Sequence, residues 1–199
     1  MAIKVTTGPV LEPVTYNQMK DHLRIYHNDE QALIEGYIKA ARQYCEEAQN
    51  RAYIEQTILY TLDRWPSERR ILLPRAPLLD VLSIEYTDAQ GNVATLDPTT
   101  YTIDVDVEPG MVVLNTGETW PSVRLYPYNA IKIAYEAGYG DDPADVPETI
   151  KQAIKFIVAH FYENREEVAG RGHIPQILPL AAKHLLNMDP VSWTEEFNR

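Results

Sequence analysis

"AGYGDDPADVPETIKQAI" (residues 137–154) is where two kinds of pattern meet, and that junction decides the fold class. Before it, Ala130 to Glu136 reads as a strand. After it, Ile150, Ala153, Ile154, Ile157, Val158 and Phe161 recur at helical spacing. Gly138 and Gly140 thus stand between a strand and a helix, the local order of nucleotide-binding loops. A phosphate loop needs backbone N–H groups at a helix N-terminus, usually with a lysine. Here Asp141, Asp142 and Asp145 would repel the anion, and no Gly-Lys-Ser/Thr follows. The mechanical reading is that the glycines permit a chain reversal, Asp145 caps the helix with Glu148 three residues on, and Pro147 fixes φ in the first turn.

Working outward, the helix is expected over 148–167, ending near "YENREEVAGRG" (162–172), where Gly170 and Gly172 act as breakers and form a hinge. A last helix is expected from Pro179 to Met188, carrying Leu180, Leu185 and Leu186. It is shorter than the roughly 12 to 15 residues at which isolated helices become marginal, so it needs a surface to pack on. Trp193 and Phe197 follow it. This apolar tail either docks onto another subunit or partner, or folds back on its own core.

Upstream, residues 54–136 change character. "TILYTLDRW", "LLDVLSIEYTD", "YTIDV", "MVVLN" and "AIKIAYEA" are short, β-branched and aromatic, and separated by turn signals such as "DAQGN" and "EPG". They predict an antiparallel β region of about five or six strands. Trp-Pro-Ser occurs at 65–67 and again at 120–122, read as loops in which proline ends pairing. Before the β region, Thr15 with Gln18 makes a capping box for a helix over 15–24, and Asn28 with Gln31 makes another for a helix over 28–50. The second carries Ile34, Tyr37, Ile38, Ala41, Cys45 and Ala48 on one stripe. The pair predicts a helical hairpin, and the whole an α+β fold: a core over 1–168 and a C-terminal extension over 169–199.

The 199 residues suit one domain with an appendage, able to bury roughly 70% of the unfolded surface. A net charge of −11 disfavours binding nucleic acid by neutralising many phosphates. The lone Cys45 cannot form an internal disulfide and reads as a buried, reduced thiol in a cytosolic setting. The N-terminus lacks the basic and apolar regions of a signal peptide, and no run of about 18 apolar residues spans a membrane.

Chemical motifs are weak throughout. "DVDVEPG" (104–110) places Asp104, Asp106 and Glu108 at alternating positions, but its glycine is seventh rather than sixth and position twelve is Asn115, so a calcium loop is disfavoured. His22, His27, His160, His173 and His184 make no metal signature, and His160 with Glu163 is half of a di-iron pattern whose second half is missing. There is no Gly-x-Ser-x-Gly, and Cys45 has apolar neighbours. No catalytic, metal or cofactor-binding residue is assigned, and no cofactor is expected. Thirteen tyrosines, with Tyr126, Tyr128 and Tyr139 in loops, suit interfaces or a core with hydroxyls at the surface.

Taken together, "VTYNQMKDHLRIYHNDEQALIEGYIKAARQYCE", "LDRWP", "ILLPRAPLLDVLSIEYTD", "GNVATLDPTTYTID", "WP" at 120, "IKIAYEAGYG" and "VPETIKQAIKFIVAHFYENRE" resemble the tailed-phage head-tail connector, or adaptor, proteins. Some members are described as possible phage DNA-packaging proteins. The resemblance runs from about Val14 to Glu167 and rests on order and spacing. It implies a non-enzymatic virion protein of the phage neck, at the portal vertex, assembled in the host cytoplasm. About twelve copies would form a ring by head-to-tail association, between the portal protein and a stopper or tail-completion protein. Genomic DNA would pass through the channel without sequence-specific binding, and an acidic wall would let it slide. Leu180, Leu185, Leu186, Trp193 and Phe197 are then the portal-docking candidates, and Lys151, Tyr162 and Arg165 the inter-subunit candidates. Two other readings stay open: a metal-dependent phosphodiester enzyme using the acidic clusters, and a cellular α+β protein-binding module.

Overall fold

The computed structural model describes residues 1–165, 179–188 and 191. The chain divides into two compact units, one on Met1–Pro9, Asn50–Tyr139 and Val191, the other on Val10–Gln49 and the described residues within Gly140–Pro190. The first is the β unit and the second the helical one, as the α+β expectation requires.

Among the described residues the β unit holds eight strands: β1 (Ala2–Thr7), β2 (Gln56–Leu62), β3 (Arg70–Leu72), β4 (Leu78–Thr87), β5 (Val93–Thr95), β6 (Tyr101–Asp104), β7 (Met111–Leu114) and β8 (Ile131–Ala137). They form a five-stranded sheet in the order β1-β2-β8-β4-β5 and a three-stranded sheet in the order β3-β7-β6, with every pairing antiparallel. Alternation explains the central strands. Ile58, Tyr60 and Leu62 of β2 and Ile131, Ile133, Tyr135 and Ala137 of β8 are all buried on one face. Each large aliphatic side chain so buried contributes about 1.5–3 kcal/mol. Ile71, Leu73, Leu96 and Val112 complete the same core.

β4 departs from that period. Leu78, Val81 and Ile84 are buried at intervals of three, because the register with β8 shifts between Leu78 and Asp80 and again between Val81 and Ser83. Leu79 and Leu82 are the extra residues at these bulges and face solvent. The expectation of five or six strands missed β1, β3 and β5. β3 and β5 have three residues each, too short for a periodic signal, and β1 lies in a segment read only for targeting signals.

The helical unit contains α1 (Tyr16–Leu23), α2 (Gln31–Gln49), α3 (Glu148–Glu163) and α4 (Leu180–Leu186). Thr15 caps α1 in the expected box: its hydroxyl accepts from Gln18 N, and the Gln18 side chain accepts from Thr15 N. The second box does not form, and α2 starts at Gln31 rather than Asn28. Asn28 Oδ1 instead accepts from Lys20 Nζ at 2.6 Å, while Gln31 Nε2 donates to Glu35. α2 buries Ile34, Ile38, Ala41 and Cys45 along one stripe, α3 buries Ile150, Ala153, Ile154, Ile157 and Val158, and the two pack together. α3 ends at Glu163, short of 167, because Asn164 closes it: its backbone N–H and its Nδ2 both donate to His160 O. Gly170 and Gly172 lie outside the described residues.

Within the helical stripe sits one buried ionic group. Arg42, 4% exposed, donates to Glu12 Oε2 at 2.7 Å and to Glu46 Oε2 at 2.6 Å. Two carboxylates around one guanidinium offset the cost of removing the charge from water and tie the segment before α1 to α2.

Candidate functional site

The glycine corner was the first candidate for a ligand. Gly138 has φ +147°, and a Cβ there would stand 2.6 Å from Glu55 N and 2.7 Å from Ile54 C. Its own N–H donates to Pro77 O, and Tyr139 N donates to Tyr53 O. This glycine is required by close backbone approach, which leaves no room for an anion. Gly140, with φ +156°, lies against the Asp145 carboxylate, which a Cβ would strike. Asp145 therefore does not cap α3, contrary to the sequence expectation. It closes a short 3₁₀ turn, Pro143–Asp145, which Asp142 caps by accepting from Ala144 N at 2.8 Å. Pro147 occupies the cap position of α3 with no side-chain bond, and Glu148 begins the helix.

The acidic loop 104–110 also turns inward on the chain. Glu108 accepts two hydrogen bonds from the Arg51 guanidinium, at 2.9 and 2.6 Å, and Arg51 is 1% exposed. Asp104 Oδ1 accepts from Asp106 N, and Asn115 bonds Thr102 and the Thr99 carbonyl. Gly110 fits against the Leu78 side chain, where a Cβ would collide. The Glu108 carboxylate and Asp104 Oδ1 are thus engaged in bracing the loop. Among the described residues, no group of three or more His, Cys, Asp or Glu is placed to hold a metal ion. Cys45 is fully buried on α2, and burial, then the charge of Glu46, pushes its thiol up to about 12, so it is not a ready nucleophile.

The three inter-subunit candidates on and after α3 have partners within their own chain. Lys151 is buried and its Nζ donates to Glu148 at 3.0 Å. Tyr162 OH donates to Glu30 Oε2 at 2.5 Å and Arg165 Nη2 to Glu30 Oε1 at 2.6 Å. Bonds from Tyr162, then from Arg165, hold the Glu30 carboxyl below its ordinary value. This clamp fixes the point from which the chain leaves α3.

The docking candidates divide by exposure. Leu180 is 74% exposed, Leu185 is half-buried, and Leu186 is buried in the helical unit beside Ala182. Gln49 Nε2 also donates to Leu186 O at 2.8 Å, tethering the end of α4 to the end of α2. Leu180, His184 and Met188 lie four residues apart and form the outer row. Trp193 and Phe197 lie outside the described residues.

Of the loop tyrosines, Tyr126 and Tyr128 are exposed and meet edge to face at 5.3 Å, while Tyr139 lies under the Arg51 guanidinium. Tyr53, Tyr60, Tyr101 and Tyr135 are core residues, and Tyr135 OH donates to Pro74 O at 2.6 Å. Sequence reading missed the exposed apolar row of β1, whose signal was the alternation in "AIKVTT".

Comparison with known proteins identifies the family and the fold. The family model described as head completion protein matches residues 12–173. No curated protein matches the sequence. Among solved structures, a chain in the neck of an empty gene transfer agent particle, computed with C6 symmetry, superposes with a TM-score of 0.81 at 21% identity, over 98% of this chain and 97% of that one. A chain in the virion of a native gene transfer agent particle gives 0.80 at 20% identity over the same shares. A chain in the neck of a native particle computed with C12 symmetry gives 0.78 at 21% identity. At these identities the likeness speaks to the fold.

Proposed function

The chain belongs to the head completion protein family, and from that premise we propose that it is a structural head-tail adaptor of a tailed phage or phage-like particle. It acts at the neck, as a ring between the portal and the stopper or tail-completion protein, and extends the DNA channel. The observation that carries this reading is the fold likeness over 98% of the chain to proteins of gene transfer agent necks. Necks computed with C6 and C12 symmetry support a ring of about twelve copies, closed by head-to-tail contacts. The net charge of −11 fits a channel along which DNA slides without being gripped.

Portal docking is assigned to the segment from α4 onward. Leu180 is available as the fold stands; Leu186 is available only if α4 detaches and breaks the Gln49 bond. Trp193 and Phe197 extend the same apolar segment. Tyr162 and Arg165 act first through Glu30, by fixing where that segment departs. No enzymatic role is proposed: within the acidic clusters behind the phosphodiester reading, Glu108 and Asp104 brace a loop and Asp142 caps a turn.

Cryo-electron microscopy of particle necks, or of the protein mixed with its portal, tests the reading. A ring of this chain beneath the portal is expected. Necks that assemble fully without this chain would overturn it.

A further inference from the structure

The five-stranded sheet carries its apolar face one strand further than its own chain covers. In the β1–β2 register Ile3 stands opposite Tyr60 and Val5 opposite Ile58. Residues directly opposite in an antiparallel pair share a face, so Ile3 and Val5 are on the core face. Tyr60 and Ile58 are 1% and 0% exposed, yet Ile3 and Val5 are 41% and 46% exposed. Alternation along β1 has thus prepared a buried face, and nothing among the described residues buries it.

The opposite side of the same sheet shows the complementary feature. β5 pairs with β4 only at Glu85–Thr87, so Leu78–Ser83 has no strand on its outer side among the described residues. There the two bulges push out Leu79 and Leu82, 37% and 52% exposed, with Asp80 between them. The only charged residue of β1 is Lys4. One end of the sheet therefore presents an uncovered apolar row with a cation, and the other presents protruding leucines with an anion. Bulges interrupt the backbone ladder on the β4 side, which disfavours a continuous intermolecular sheet and leaves side-chain packing as the mode of contact.

We propose that Ile3 and Val5 of one copy pack against Leu79 and Leu82 of a second copy, with Lys4 facing Asp80, and that this is a lateral contact of the ring. It joins two different patches on opposite ends of one sheet, so each copy keeps one of each free and the association is heterologous, the type that closes rings. The inference rests on the ring proposed above and names its surface.

The test is site-directed cross-linking with a short bis-maleimide on the Val5→Cys, Leu82→Cys double variant and on each single variant. It is run on purified protein at high concentration and on assembled necks, with ring formation followed by native mass spectrometry. Cys45 is fully buried and contributes little background. A ladder of multimers beyond the dimer in the double variant, with both single variants uncross-linked, is expected. Lys4→Glu should abolish that ladder, and adding Asp80→Lys should restore it. Dimers from Val5→Cys alone would show β1 pairing with itself and overturn the proposal. Intact rings without a ladder would overturn this contact and leave the ring reading standing. Neither rings nor ladder, in solution or in necks, would overturn both.

Discussion

Trp65 and Trp120 stack face to face, with ring centroids 4.9 Å apart and planes 3° from parallel. Each belongs to one of the two Trp-Pro-Ser stretches, so the repeated tripeptide marks two loops that meet in space. Tyr86 packs edge-on against Trp65 at 5.8 Å, and Trp120 Nε1 donates to Glu68 O at 2.8 Å. Trp65 Nε1 is buried and has no hydrogen-bond partner among the described residues.

Two measurements follow from this pair. A double-mutant cycle with Trp65→Leu and Trp120→Leu, read by urea unfolding, should give a coupling of about 1 kcal/mol, the usual worth of an aromatic pair beyond its area. Trp120→Phe should cost roughly 1 kcal/mol more than Trp65→Phe, because only Trp120 loses a hydrogen bond. Strict additivity in the cycle would show that the loops are held by other contacts.

Gly138 and Gly36 should respond to alanine with opposite signs. At Gly138 the new Cβ meets the backbone of Ile54 and Glu55 at 2.6–2.8 Å, and φ is +147°, so a loss of about 2–4 kcal/mol is expected. Gly36 lies exposed within α2 with nothing within 4 Å of a new Cβ, so Gly36→Ala should gain about 0.5–1 kcal/mol from helix propensity. Thermal denaturation of both variants decides the matter, and equal effects would refute the close-approach reading of the corner.

The Glu30 clamp gives a pH dependence of definite sign. Bonds from Tyr162 and Arg165 hold the Glu30 pKa below its ordinary 4.5 in the folded chain. A folded value below the unfolded one means that the stabilisation is complete above pH 4.5 and is lost as pH falls through the folded value. The Tm gap between the parent and Glu30→Gln should therefore be present at neutral pH and shrink on acidification. A gap that widens at low pH would contradict the clamp.

Cys45 should be silent in the native protein. With its thiol pushed up to about 12 and its side chain fully buried, a disulfide reagent at mildly alkaline pH should label it only after denaturant is added. Labelling of the native protein at the rate of a free thiol would place Cys45 at a surface instead.

A docking role for α4 predicts that Leu180→Asp, at a position 74% exposed, leaves thermal stability within about 0.5 kcal/mol of the parent while reducing co-assembly with portal-bearing capsids. Co-sedimentation with such capsids reads it, and unchanged co-sedimentation removes Leu180 from the docking surface.

The sequence by itself determined the elements whose signal is local. The stripe of α3, the capping box of Thr15 with Gln18, and the alternation of β2 and β8 depend on neighbours within a few residues, and each was legible. So was the absence of a lysine from the glycine corner, together with the α+β class. What depends on distant partners was not. The intervals of three in β4 come from bulges against β8, and β1 is a strand because β2 offers it an edge. Asn28 and Asp145 carry good capping chemistry, but Lys20 holds the first and the second closes the preceding turn against Gly140. The glycines at 138 and 140 were legible as permitting a chain reversal, but what makes them necessary came from tertiary structure. The backbone at 54–55 and the Asp145 carboxylate occupy the space where a Cβ would go, and local periodicity cannot encode which distant atoms arrive there.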